Sequence, residues 1–164
     1  MISKTMQDAI NEQIKNEIYS AYLYLSMSAH FESNNLPGFA HWMRVQYEEE
    51  LSHALKFFDH VHERGGLVTL LAIPQPPNQW DTSLDLFKEV LKHEQLVTSL
   101  IYKLYDTSLQ EKDYAAQVML HWFINEQVEE EKNATEIVES LKLIDARGTA
   151  VLMLDKQLSK RGKD

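Results

Sequence analysis

Apolar residues recur along this chain at the spacing of packed helices. In each long helix the apolar line is broken near its middle by a group that can carry charge. Over residues 5–32, Ile10, Ile14, Glu17, Ala21, Tyr24, Ser28 and Phe31 alternate by four and three, the period of one buried helical face. Asn34-Asn35-Leu36-Pro37-Gly38 reads as a turn, with Pro37 placed to open the next helix. A second helix is predicted from Pro37 to Arg64, stopped by Gly65-Gly66, with Phe39, Trp42, Met43, Gln46, Glu50, His53, Ala54, Phe57 and Val61 inward. A third starts at Thr82 or Ser83, with Asp85 in its first turn, and runs to Gln110. Its seam reads Leu84, Phe87, Leu91, Glu94, Thr98, Ile101, Tyr105, Ser108. Asp113 is placed to cap a fourth helix over 114–143, with seam Ala116, Leu120, Phe123, Gln127, Glu130, Ala134, Ile137 and Leu141.

Two segments depart from this pattern. Residues 65–82, with Gly65-Gly66 at one end and Ile73-Pro74-Gln75-Pro76-Pro77-Asn78 near the other, read as non-helical. A loop this long inside a compact domain needs a reason. About 18 extended residues span roughly 60 Å, and a helix of about 27 residues is roughly 40 Å long. The segment can therefore run the length of a bundle and leave the second and third helices parallel. The second segment, Asp145-Ala146-Arg147-Gly148-Thr149, breaks the fourth helix before a short fifth over about 150–160, with Val151, Leu152, Leu154 and Leu158 apolar. That helix is too short to stand alone and must pack on the bundle or on another subunit. The predicted architecture is all-α: one domain over 1–164, a four-helix bundle over about 5–143 with one long crossover between helices 2 and 3, and a short C-terminal helix.

Composition narrows the chemistry. The chain has 164 residues, enough for a substantial core. It has no cysteine, which excludes disulfides, cysteine–zinc sites and iron–sulfur clusters. A formal net charge of -9 argues against nucleic acid and suits attraction of cations. There is no signal-peptide layout and no apolar run of membrane length, so a soluble cytoplasmic protein is expected, with no membrane partner.

The polar interruptions are Glu17; Glu50 with His53; Glu94; and Gln127 with Glu130. Glu50-x-x-His53 puts a carboxylate and an imidazole on one side of one helix, able to hold one metal ion together. Alone that spacing is weak, because it arises by chance in charged helices. It gains force here because each set lies about 11 to 14 residues from its helix start. Helices of similar length then bring all four sets to one level, whichever way each runs. Several buried carboxylates repel, so protons or a metal must neutralise them. Carboxylates with one imidazole suit iron or manganese, with zinc as a further option. Glu50 is placed to bridge two ions, with Glu17 and His53 on the first and Glu94, Gln127 or Glu130 on the second. The bland readings are a misphased seam for Glu17 and Glu94, a packing role for Tyr24 and Trp122, and a solvated face for Glu129-Glu130-Glu131. His30, His41, His60, His62, His93 and His121 are read as structural.

One Glu from each of two helices with Glu-x-x-His on the others is the pattern of ferritin-like di-iron carboxylate bundles. Gln127-x-x-Glu130 departs from it, which predicts a poorer, more labile second site. Nearly the whole chain resembles the ferritins, most closely the bacterial and archaeal non-haem ferritins. The likeness rests on Asn11-Glu12-Gln13, Glu17-Ile18-Tyr19-Ser20, Tyr22-Leu23-Tyr24-Leu25-Ser26-Met27-Ser28 and Gly38-Phe39-Ala40-His41-Trp42. It continues through Glu48-Glu49-Glu50-Leu51-Ser52-His53-Ala54, Glu63-Arg64-Gly65-Gly66 and Glu126-Gln127-Val128-Glu129-Glu130-Glu131. It implies a homo-oligomeric hollow shell of about two dozen subunits. Such a shell oxidises Fe(II) with dioxygen or peroxide and stores ferric mineral.

By position, the resemblance makes Glu17, Glu50 and His53 the first iron site, and Glu50, Glu94, Gln127 and Glu130 the second. Tyr24 becomes the tyrosine beside the centre, a one-electron donor. Glu49, Glu126, Glu129 and Glu130 match a third iron site on the route to the cavity. The implied load is two irons per subunit plus that third. Haem-binding relatives carry methionine between the motif's Glu and His; Leu51 stands there and cannot ligate haem iron. Gln117 and Leu120 stand where animal heavy chains line an inlet pore with acids, so that inlet is not expected.

Other functions fit less well. A rubrerythrin needs a cysteine-ligated iron, and an oxygenase needs an apolar substrate pocket. An inert bundle akin to a light chain would not need the ligand set. A DNA-coating mini-ferritin places its centre between subunits and usually lacks a fifth helix.

Overall fold

The computed structural model of the protein describes residues 1–144 and 148–162. Five helices follow in order: α1 Lys4–Ser33, α2 Pro37–Glu63, α3 Ser83–Gln110, α4 Tyr114–Leu143 and α5 Thr149–Leu158. The ends are set by local chemistry. Ser3 accepts from Met6 N, Thr82 from Asp85 N and Asp113 from Ala116 N, each satisfying an amide the helix leaves free. Pro37 is the first residue of α2. Arg64 caps α2 one residue earlier than the sequence suggests, and Gly65 follows at φ 71, where a side chain would be strained. The pattern break at 145–147 lies outside the described residues.

The apolar core is in two halves. One gathers Met6, Ile10 and Ile14 of α1, Phe57 and Val61 of α2, Val97, Ile101 and Leu104 of α3, and Ala116, Leu120 and Phe123 of α4. The other takes Leu23 to Phe31 of α1, Phe39 to Met43 of α2, Leu86 to Val90 of α3, and Ala134 to Leu141 of α4. Phe57 stacks on Phe123 at 4.0 Å in the first half, and Phe31 on Phe39 at 5.0 Å in the second. Each fully buried aromatic of this kind contributes about 1.5–3 kcal/mol.

The direction of each helix follows from the halves it visits. α1 and α4 run from the first half to the second; α2 and α3 run the other way, and so are parallel. The segment between α2 and α3 covers that distance along α1. Asn11 donates to Leu67 O at 3.1 Å, Ser26 to Pro77 O at 2.6 Å, and Trp80 packs on His30 at 5.2 Å.

The burial pattern corrects the predicted seam of α3. Leu86, Val90, Val97 and Leu104 are buried, whereas Leu84, Leu91, Thr98 and Tyr105 are half-buried. A bundle helix packs against two neighbours, so its apolar stripe is wide and the single line read from sequence ran along one edge. Only Phe87, Glu94, Ile101 and Ser108 lie in both. In α5, Val151 is buried and Leu154 and Leu158 are half-buried, but Leu152 is exposed, and the second buried residue is Asp155. Its carboxylate accepts from Phe39 N at 2.9 Å. The N-cap of α2, Leu36, offers no side-chain acceptor, so α5 caps α2 from across the fold. Gly38 permits this approach: a Cβ there would lie 1.7 Å from Asp155 O.

Candidate metal centre

Between the two apolar halves lies a polar layer. Glu17, Gln46, Glu50, His53, Glu94, Gln127 and Glu130 all sit there, each at most 3 % exposed. The mid-helix interruptions read from sequence therefore do converge. Burying ionisable groups disfavours their charged forms, and the layer bears this out. Burial, then the Glu50 charge, holds the Glu17 carboxyl well above the usual range. Burial, then Glu94, does the same to Glu50. Burial, then Glu94, pushes Glu130 up to about 7.

The first half of the layer is a ready cation seat. Glu17, Glu50 and His53 are the one trio among the described residues whose candidate ligand atoms all lie within 4.8 Å of one another. His53 Nδ1 is 3.5 Å from Glu50 Oε2 and 4.0 Å from Glu17 Oε2. Those same two oxygens are buried without a hydrogen-bond partner. Two orphaned carboxylate oxygens facing an imidazole nitrogen are what a small divalent cation would satisfy, so the residues fit a metal ion. On its other side His53 Nε2 lies 3.9 Å from Glu126 Oε1. A proton held on Nε2, toward that acid, would leave Nδ1 free to ligate a cation seated beside Glu17 and Glu50. Gln13, one helical turn before Glu17, donates to Glu17 Oε1 at 2.7 Å and fixes its rotation.

The second half is tied differently. Glu94 Oε1 accepts from the Tyr24 hydroxyl, and Glu94 Oε2 accepts from Gln127 Nε2 at 3.2 Å. Burial keeps the Glu94 carboxyl raised even so. Glu130 Oε2 accepts from Gln46 Nε2 at 2.8 Å. These acids already have protein partners, whereas the Glu17 and Glu50 oxygens facing His53 do not. The phenol of Tyr24, fully buried, has its ionisation pushed well up by burial and then by Glu94. His93 packs edge-on against Tyr24 at 6.1 Å and meets Ser20 Oγ at 2.8 Å. Burial lowers its pKa to about 4, so the ring is neutral.

Of the residues assigned to a third position, Glu130 sits in the buried layer, while Glu49, Glu126 and Glu129 lie at the rim. Glu49 is half-buried and bound by Arg161, with Nη2–Oε2 at 2.6 Å. Glu126 is half-buried and Glu129 exposed. Burial, partly offset by Arg161 and His53, raises the Glu49 carboxyl, and Glu126 and Glu129 repel it. Sequence reasoning gave no role to Gln13, Gln46 or Arg161. The first two stand one turn before ligand-type acids, a spacing that could have flagged them.

A four-helix bundle with one long crossover and a waist of buried carboxylates and one imidazole belongs to the class of carboxylate-rich metal-binding bundles. The Ferritin-like domain family matches residues 7–144. The chain is 44 % identical over 161 residues to a bacterial non-heme ferritin of Bacteroides fragilis, covering 98 % of this chain and 100 % of the relative. It is 35 % identical over 164 residues to one of Staphylococcus saprophyticus, with 100 % and 98 % covered. Its fold superposes on an open pore ferritin of the archaeon Archaeoglobus fulgidus with a TM-score of 0.97, at 53 % identity, covering 98 % and 99 % of the two chains. The chain belongs to the ferritin family.

Proposed function

We propose that this protein stores iron and is a ferroxidase, acting as a homo-oligomeric hollow shell in the cytoplasm. Fe(II) is its substrate. The reading rests above all on the orphaned Glu17 and Glu50 oxygens facing His53 Nδ1. The first ferrous ion displaces the protons that burial keeps on those acids, and meets no amide or phenol donor at those two oxygens. A second binds through Glu50, Glu94, Gln127 and Glu130, and must compete with Tyr24, Gln127 and Gln46 for those carboxylates. It is therefore the weaker and more labile of the two, which suits an ion bound for storage.

Each ferrous ion yields one electron and dioxygen takes both, leaving as peroxide. Reduction of dioxygen past peroxide needs further electrons, of which Tyr24 supplies one while its hydroxyl proton passes to the Glu94 carboxylate. The ferric product passes Glu126, Glu129 and Glu49 as a third iron position, and hydrolyses to mineral with release of protons. No helix among the described residues is long and apolar enough to cross a membrane.

Aerobic Fe(II) oxidation followed by absorbance tests the assignment. Glu17→Ala, Glu50→Ala and His53→Ala should each slow the fast phase by more than the roughly 10- to 100-fold that loss of an outer partner costs. An unchanged fast phase in any of them overturns the ligand set. Negative-stain microscopy of the purified protein should show hollow particles.

A further inference from the structure

Arg161 lies beyond α5, in the turn that follows Leu158, yet its side chain reaches the rim of the centre. Four contacts fix it to α2. Its guanidinium stacks over the Trp42 ring at 4.4 Å, and Nη1 donates to Trp42 O at 3.5 Å. Nη2 donates to Glu49 Oε2 at 2.6 Å, and the residue's own carbonyl accepts from His41 Nε2 at 2.8 Å. Arg161 thus holds a positive charge against one of the acids read as the third iron position. An arginine is always charged, and its flat fork suits both a carboxylate and an aromatic face.

We propose that Arg161 is a built-in counter-cation for Glu49, displaced when an iron ion moves from the centre toward the cavity, so that it sets how tightly the third position fills. This deepens the proposed function and rests on reading Glu49, Glu126 and Glu129 as an iron position. Glu49 feels Glu126 and Glu129 as like charges and Arg161 as the opposing one. A metal cation arriving beside the guanidinium is repelled by it and finds one Glu49 oxygen already engaged. Exchange is feasible because Trp42 offers the guanidinium a resting face once Glu49 is released. The ion pair is partly exposed, with the Glu49 side chain 40 % and the Arg161 side chain 21 % accessible, so its strength is modest and it can open.

The experiment titrates the assembled shell with Zn(II), which is redox-inert, in a calorimeter, and locates the ions by anomalous diffraction. Wild type, Arg161→Lys, Arg161→Gln and Glu49→Gln/Arg161→Gln are compared. Ions at Glu17, Glu50 and His53 should bind equally in all four. The rim step should tighten roughly 1.5- to fivefold in Arg161→Gln, as expected for loss of one partly exposed ion pair. Arg161→Lys, which keeps the charge, should stay near wild type, and the double variant should lose the gain. A rim step equally tight in wild type and Arg161→Gln overturns the role of Arg161 while leaving the third position standing. So does a fall in thermal midpoint without any change in binding, which marks a merely structural anchor. No rim step in any variant overturns both.

Discussion

Glu130 carries a carboxyl pushed up to about 7 from an ordinary 4.5, and Glu17 and Glu50 move the same way. Between those values the folded chain holds protons that the unfolded chain has released. Linkage then has a definite sign. The contribution of these acids to stability is greatest below about pH 4.5 and is lost as pH rises through 7. Iron-free shells should therefore show a urea midpoint that declines between about pH 5 and 7.5, less steeply in Glu130→Gln. Zn(II) should restore more at the upper pH, where it meets no proton to displace. Equal slopes in wild type and Glu130→Gln would refute the account. Gln46 is a second residue-scale test. Gln46→Leu removes the donor that orients Glu130, and should weaken the second ion roughly tenfold while sparing the first; a calorimetric titration resolves the two steps. The ligand-type acids were legible in the sequence because a charge set into an apolar seam costs too much to bury without something to neutralise it. Gln46 was legible only as an inward residue, since an amide there reads equally well as packing. Arg161 was not legible at all: its partner lies 112 residues away, and no local period links them.

At the scale of elements, the four long helices could be read to within a residue or two because their caps are local. Thr82, Asp113 and Pro37 act on amides a few residues on, or on their own backbone. The phase of α3 was harder, because which edge of a wide stripe is deepest depends on neighbours that the chain alone does not name. The cap of α2 was hidden for the same reason, being supplied by α5 through Asp155. Asp155→Ala should remove that acceptor at a cost of about 1 kcal/mol. Residues 148–162 should then exchange amide hydrogens faster, while helicity of the bundle by circular dichroism is nearly unchanged. Gly38→Ala should produce the same loosening by overlap with the Asp155 backbone. Protection of α5 equal to wild type in both variants would show that its docking rests on Val151 and the neighbouring leucines instead.

For the molecule as a whole, the sequence supplied the length of the crossover but not what its outer face meets. That segment is anchored beside Asn11 at one end and Ser26 at the other, so its middle runs along the outward side of α1. Leu67 and Leu70 stand 65 % and 67 % exposed on it, Leu71 is exposed as well, and Tyr22 is exposed on α1 itself. Apolar side chains grouped in this way mark a contact surface. Since the proposed function requires a closed shell, this strip is expected to be covered by another copy of the chain, in a contact that must be self-complementary if it lies on a two-fold axis. Leu67→Glu/Leu70→Glu should then release small species on size-exclusion chromatography with helicity retained. The same shell with Gln95→Glu/Ser99→Glu, altered at exposed polar positions of α3, provides a comparison for whether any added charge has this effect. An intact particle in the first variant would place the assembling surface elsewhere. Because the Glu17, Glu50 and His53 seat lies within one chain, the released subunits should still bind Zn(II) there but fail to keep ferric product in solution. That outcome would separate the chemistry of the waist from the containment that only the assembled shell supplies.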